Sequence, residues 1–139
     1  MFRRILVPTD LTDRTVKALD VAASIAKRDQ GRVTVLHVIE TIAGANFDEL
    51  SSFYRKLEER AQKQLGAIVA DAHALQGRVD VAIVYGKPVD EVLQFARSND
   101  IDLIVLPSHP LDPSQPHGSI GTMSYKLGIL APCAVLLVK

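Results

Sequence analysis

The chain reads as an α/β protein built on a mostly parallel sheet, and three observations carry that reading. Short apolar runs alternate with longer helical patterns from end to end. The runs Ile5-Leu6-Val7, Ile104-Val105-Leu106 and Ala134-Val135-Leu136-Leu137-Val138 are apolar at consecutive positions, as in strands buried on both faces. The length, 139 residues, suits one domain with a core of its own. No repeat, linker or low-complexity stretch marks a second domain, so residues 1–139 are taken as one unit.

The first strand is expected over Arg3–Pro8. The first helix starts near Thr12, a good N-cap, with Asp13 in the positive first turn. Its apolar stripe is Val16, Leu19, Ala22, Ala23 and Ala26, and Gly31 is the C-terminal stop. The second strand covers Arg32–Ile39, with Val33, Val35, Leu36 and Val38 inside. A long second helix follows from Asn46 to Gln76. Leu50, Tyr54, Leu57, Ala61, Leu65, Ile68, Ala72 and Leu75 recur every three or four residues and make one stripe; Gly77 ends it. The third strand, Val79–Tyr85, alternates Val79, Val81 and Ile83 against Asp80 and Ala82, which places it at a sheet edge. Pro88 opens the third helix, which runs to Ser98. Asp102–Leu106 is the fourth strand. A proline-rich loop, Pro107–His117, leads to a fourth helix over Ser119–Leu130, with Met123, Leu127 and Leu130 inward. Cys133–Val138 is the last strand.

Charge excludes several partners. Lys plus Arg and Asp plus Glu are both 16. This balance leaves no electrostatic footprint for nucleic acid and argues against an anionic membrane surface. No apolar run approaches the ~18 residues of a membrane span. The apolar run after Met1-Phe2-Arg3-Arg4 stops at Pro8, too early for a secretory segment. The single cysteine, Cys133, rules out an intrachain disulfide and reads as a small core hydrophobe. A cytoplasmic protein is expected.

Two segments at the ends of strands read as halves of one ligand site. Ile5-Leu6-Val7-Pro8-Thr9-Asp10 ends at a carboxylate. Ile104-Val105-Leu106-Pro107-Ser108-His109 leads to Gly118-Ser119-Ile120-Gly121-Thr122 before a helix. Open α/β sheets bind ligands beyond the carboxyl ends of their strands, and a helix start there can offer N–H groups to phosphate. Asp10 also has a local reading, as a turn residue that starts a helix.

Other chemistries fit less well. Thr9, Thr12 and Thr15 could suggest a flavin phosphate loop, but Asp10 and Asp13 interleave with them and would repel phosphate. A phosphoacceptor site would need an acid at the end of the third strand, where Val84-Tyr85-Gly86 stands. His109, Asp112 and His117 match no standard zinc spacing. His37 reads as a hydrogen-bonded core histidine and His73 as solvated. No nucleophile–base pair is visible; Ser108 beside His109 is adjacency in sequence and not triad geometry.

Taken in order, Ile5-Leu6-Val7-Pro8-Thr9-Asp10, Leu36-His37-Val38, Gly86-Lys87-Pro88, Asp102-Leu103-Ile104-Val105 and Ala131-Pro132-Cys133-Ala134-Val135 resemble the universal stress protein family over essentially the whole chain. The resemblance implies a five-stranded parallel sheet of order 3-2-1-4-5 with helices on both faces, an adenine nucleotide alpha hydrolase-like fold. It also implies a homodimer through antiparallel pairing of strand 5, Ala134, Val135, Leu136, Leu137 and Val138, which would remove two exposed edges at once. Some members bind ATP and others do not. The base side carries over to Pro8, Thr9, Asp10 and Val38. On the phosphate side, ATP binders resemble Gly-x-x-Gly, nine residues, then Gly with Ser or Thr; here Pro107 and Pro110 hold the leading glycine positions. Ten residues, 111 to 120, separate Pro110 from the closing pair Gly121-Thr122. Proline has no N–H and a fixed φ, so the start of the phosphate cradle is lost. Gly118, Ser119, Gly121 and Thr122, with the Ser108 hydroxyl, remain as candidate phosphate contacts, and Pro107 and His109 are candidate nucleotide-binding residues of the loop.

The expected function is therefore a small regulatory or stress-response module with a degenerate adenine-nucleotide pocket. ATP or AMP would bind weakly or not at all, with no metal beyond nucleotide-bound Mg. The alternative is a dimeric protein-interaction module without ATP that meets a protein partner through the stiff loop. A slow nucleotide hydrolase is third, since no catalytic base or metal ligand set is visible.

Overall fold

The computed structural model describes residues 1–71, 79–108, 114 and 122–139. Among the described residues five strands and four helices alternate: β1 (Arg4–Thr9), α1 (Arg14–Asp29), β2 (Arg32–Glu40), α2 (Ser51–Ala70), β3 (Val79–Gly86), α3 (Pro88–Ser98), β4 (Leu103–Pro107), α4 (Met123–Leu130) and β5 (Ala134–Val138). They form one sheet of order β3-β2-β1-β4-β5. Every strand pair is parallel, and Thr9 of β1 lies opposite His37 of β2. The order reverses beside β1, so a crevice opens between the carboxyl ends of β1 and β4.

Alternate side chains of each strand feed two cores. Ile5, Val7, Val33, Val35, Leu103 and Val105 point to one face with α1 and α2. Leu6, Leu36, Ile104 and Leu106 point to the other, with Val92 and Ala96 of α3 and Leu127 of α4. This is why the first and fourth strands are apolar at every position.

In α1 the buried side is Thr15, Ala18, Leu19, Ala22, Ala23 and Ala26, so the stripe is wider than the expected one and includes a threonine. The small alanines let the helix lie close on the sheet. Its N-cap is Asp13, not Thr12, and no acidic residue stands in the first turn, because Thr12 is turned back to Asp10. At the other end Gln30, with φ 57°, takes the left-handed position expected of Gly31. Gly31 serves close approach instead. A Cβ there would lie 2.8 Å from the Phe2 carbonyl oxygen and 3.0 Å from the Arg3 Cα.

Three other expectations change. Helix α2 begins at Ser51, not Asn46, because the Asn46 side chain accepts from the Asp48 N–H in a tight turn. The helix is described to Ala70, with Asp71 as its C-cap; Ala72, His73, Leu75, Gln76 and Gly77, where the sequence predicts its far end, lie outside the described residues. Val81 shares a face with Val79 and Ile83, which pack against the core, but is 46% exposed on the edge strand β3, where no further element among the described residues covers it. Leu130 is 54% exposed at the last turn of α4, one turn beyond the residues that meet the sheet. Strands β3 and β5 are the two edges, and α3 runs over the expected residues with Pro88 in its first turn.

Candidate functional site

Strand β1 delivers Pro8, Thr9 and Asp10 to the carboxyl edge of the sheet. A cleft of about 230 Å³ opens there, lined by these three, by Leu36, His37 and Val38 of β2, and by Leu106 and Pro107 of β4. Pro88 and Val92 of α3 and Met123 and Ser124 of α4 close its apolar side. The cleft thus sits over the crevice where the strand order reverses. Its walls are mostly apolar, with a few polar atoms at one end, as in small-molecule sites.

A hydrogen-bond network fixes the exit of β1. The Thr9 and Thr15 hydroxyls lie 2.6 Å apart in a buried pair. The Leu11 N–H donates to the Thr9 hydroxyl at 2.9 Å, which helps hold Leu11 at φ 68°, an unusual conformation for a leucine. The Thr9 carbonyl accepts from His37 Nδ1 at 2.9 Å. A carbonyl can only accept, so Nδ1 carries the proton of that bond.

Asp10 follows directly. Its Oδ1 accepts from the Thr12 N–H at 3.0 Å and from the Thr12 hydroxyl at 2.6 Å. Oδ2 accepts from no other described residue, and the carboxylate also draws on its own backbone N–H. Partial burial pushes the carboxyl up, but the two Thr12 bonds and the Arg14 charge outweigh it and hold Asp10 below the usual carboxylate range. Asp10 is therefore an anion, aimed by its neighbours, with one oxygen left for a ligand.

Of the candidate residues, Pro8, Thr9, Asp10, Val38 and Pro107 come together around the cleft. Ser108 stands just outside the lining, and its N–H donates to the Val138 carbonyl at 2.9 Å. Thr122 caps α4, its hydroxyl accepting from the Tyr125 N–H at 3.5 Å. His109, Gly118, Ser119 and Gly121 lie outside the described residues, as do Asp112 and His117. Among the described residues no group of three or more His, Cys, Asp or Glu is placed to hold a metal ion. Cys133 is half-buried; burial and the Asp102 charge push its thiol up, against a backbone hydrogen bond from Ile104.

Seven lining residues escaped the sequence reading of the site, and two of them, His37 and Ser124, are polar. Ser124 is a buried polar residue in the first turn of α4, where the pattern shows only an apolar face. His37, read as a hydrogen-bonded core histidine, is hydrogen-bonded but only half-buried, and its place at the cleft follows from the pairing with Thr9. The signal available was its position at the end of a strand beside the Pro-Thr-Asp exit.

Apolar walls can sandwich a base, and fixed acceptors can meet its donors or those of a ribose. At the end of β4, Pro107 offers no N–H.

Comparison with known proteins supplies an independent view. The model of the universal stress protein family matches residues 1–139. The chain is 36% identical to a universal stress protein of Thermus aquaticus, over the full length of both. It superposes on UspA from Lactobacillus plantarum with a TM-score of 0.73 at 25% identity, covering 99% of this chain and 98% of that one. A universal stress protein of Archaeoglobus fulgidus, solved in complex with dAMP, has the same fold at TM-score 0.73 and 18% identity, with 99% and 98% covered. Among the described residues no helix is long and apolar enough to cross a membrane.

Proposed function

Because the chain belongs to the universal stress protein family, we propose that it is a small cytoplasmic regulatory module whose cleft takes an adenosine ligand with few phosphates. The observation that carries this reading is the meeting of Pro8, Thr9, Asp10 and Val38 around one cleft at the switch point of the sheet. Val38 gives the base an apolar wall. The free oxygen of Asp10 accepts from a ribose hydroxyl or the base amine. The dAMP complex of the Archaeoglobus relative suits a monophosphate on this fold. Thr122, with Gly118, Ser119 and Gly121, holds whatever phosphate is present at the start of α4, and Mg enters only with a nucleotide that carries it. Pro107 and Pro110 weaken any grip on ATP.

In this reading residues 1–139 act as one domain and work as a homodimer. Strand β5 pairs antiparallel with its copy, and Leu136 and Leu137, with Ile129 and Leu130 beside them, lose their exposure. Sedimentation equilibrium tests this: a monomer at all concentrations overturns it. A second reading, a module that meets a protein partner through loop Pro107–His117 without nucleotide, stands if calorimetry finds no adenosine ligand. Binding of adenosine or AMP that Asp10→Ala abolishes supports the first reading; binding unchanged by Asp10→Ala means the site lies elsewhere.

A further inference from the structure

Asp10 stands on the cleft side of the sheet. Leu6 of β1 belongs to the core shared with α3 and α4. Pro8 and Asp10 follow it at every second position, and both line the cleft beside Leu36, Val92 and Leu106 of that same core. Thr9, between them, turns to the other face and pairs with Thr15 of α1. Asp10 is the only Asp, Glu, Lys or Arg among the lining residues. Its carboxylate is not left to rotate. Leu11, at φ 68°, turns the chain back, and Thr12 gives Oδ1 two donors, its N–H at 3.0 Å and its hydroxyl at 2.6 Å. The backbone N–H of Asp10 itself is a lesser contact. Any residue but proline at position 12 would supply the N–H. The hydroxyl is what this side chain adds, and it makes the shorter, charge-assisted bond. That hydroxyl is withheld from the helix: the N-cap of α1 is Asp13, which makes no side-chain cap bond, although a threonine suits that task. A local rule broken beside a cleft marks a functional position.

We propose that Thr12 is a positioning residue for the ligand: its hydroxyl fixes one oxygen of the Asp10 carboxylate, so that the other meets a donor of the adenosine in one geometry. This rests on the adenosine reading above and deepens it. An aspartate side chain has two torsions, and the second ranges broadly. Without the hydroxyl the carboxylate keeps its backbone donors but swings over more of that range. Ordering it again on the ligand then costs affinity. Thr12 touches no ligand itself; it acts only through Asp10. The affinity it supplies therefore belongs to whichever ligand hydrogen Asp10 accepts, and to no other part of the ligand.

The test is calorimetric titration of the full chain with adenosine and three analogues. Purine riboside, 2′-deoxyadenosine and 3′-deoxyadenosine lack the C6 amine, the 2′ hydroxyl and the 3′ hydroxyl in turn. The wild type, Thr12→Val and Thr12→Ser are compared, each checked for an unchanged circular dichroism spectrum; Thr12 is exposed, so neither change disturbs the core. Thr12→Val is expected to weaken adenosine binding about fivefold, and Thr12→Ser, which keeps the hydroxyl, to stay within about twofold of the wild type. The analogue that lacks the hydrogen met by Asp10 should bind Thr12→Val and the wild type equally. Three results overturn this role: adenosine affinity unchanged in Thr12→Val, serine failing to rescue, or an equal loss across all four ligands. In each of them the adenosine reading still stands. If the wild type binds none of the four, both fail.

Discussion

Replacing Thr9 by valine is expected to destabilise the protein by about 3 kcal/mol, although the two side chains are nearly the same size. The magnitude follows from what the hydroxyl holds. It is 2.6 Å from the hydroxyl of Thr15, which is completely buried, and it accepts from the Leu11 N–H at 2.9 Å. Valine leaves both groups unpaired, and each buried orphan costs about 1–3 kcal/mol. Thr15→Val removes only one partner and leaves Thr9 its bond from Leu11, so about 1 kcal/mol is expected. The double variant orphans the Leu11 N–H alone. It should cost about 2 kcal/mol and be more stable than Thr9→Val by itself. Urea unfolding followed by circular dichroism, at one fixed protein concentration, measures all three. Equal losses in the two single variants, or strictly additive losses in the double, would refute the network as described.

Other expectations concern glycine, acid and alkali. Gly31→Ala should lower the melting temperature, since its Cβ would meet backbone of Phe2 and Arg3 at 2.8–3.0 Å; Gly66→Ala, on an open part of α2, should raise stability by about 1 kcal/mol. Asp10 has a lowered carboxyl in the folded protein, so the stability it contributes is fully present above the unfolded carboxylate range and is lost as pH falls through its folded value. Asp10→Asn should therefore flatten the fall in unfolding free energy at acid pH, and an unchanged slope between pH 5 and about pH 2 would count against that. Burial, with the Glu58 carboxylate 2.6 Å from its hydroxyl, leaves Tyr85 pushed up to about 12. A raised phenol contributes stability that is present below its unfolded value of 10.0 and lost as pH rises toward about 12, so Tyr85→Phe should remove that alkaline loss. Ultraviolet titration should show a tyrosine ionising toward pH 12 in the wild type, and that late phase should disappear in Tyr85→Phe.

The layers of this fold were legible because periodicity reports burial. Consecutive apolar residues at Ile5, Leu6 and Val7 announce a strand covered on both sides, and Pro88 announces a helix start. Periodicity does not report what a polar residue does once buried. Thr15 was left out of the apolar stripe of α1 because a hydroxyl looks like surface; it is buried because Thr9 answers it. Gly31 looked like a left-handed stop, yet the conformation falls on Gln30 and the glycine yields room to the first strand. Leu130 and Val81 sit in phase with buried neighbours but beyond the edge of what covers them. At the site, Pro8, Thr9 and Asp10 were readable from the end of the first strand and Val38 from the family resemblance, whereas His37 and Ser124 join them only through pairing and packing between distant segments.

The central claim is an adenosine cleft with a weakened phosphate end, and calorimetric titration of nucleotide-stripped protein with adenosine, AMP and ATP tests it most directly. Adenosine and AMP are expected to bind, ATP to bind no more tightly than AMP, and Asp10→Ala to abolish the heat of all three. ATP binding far tighter than AMP, or no heat from any of them together with an unshifted melting temperature, would contradict the account.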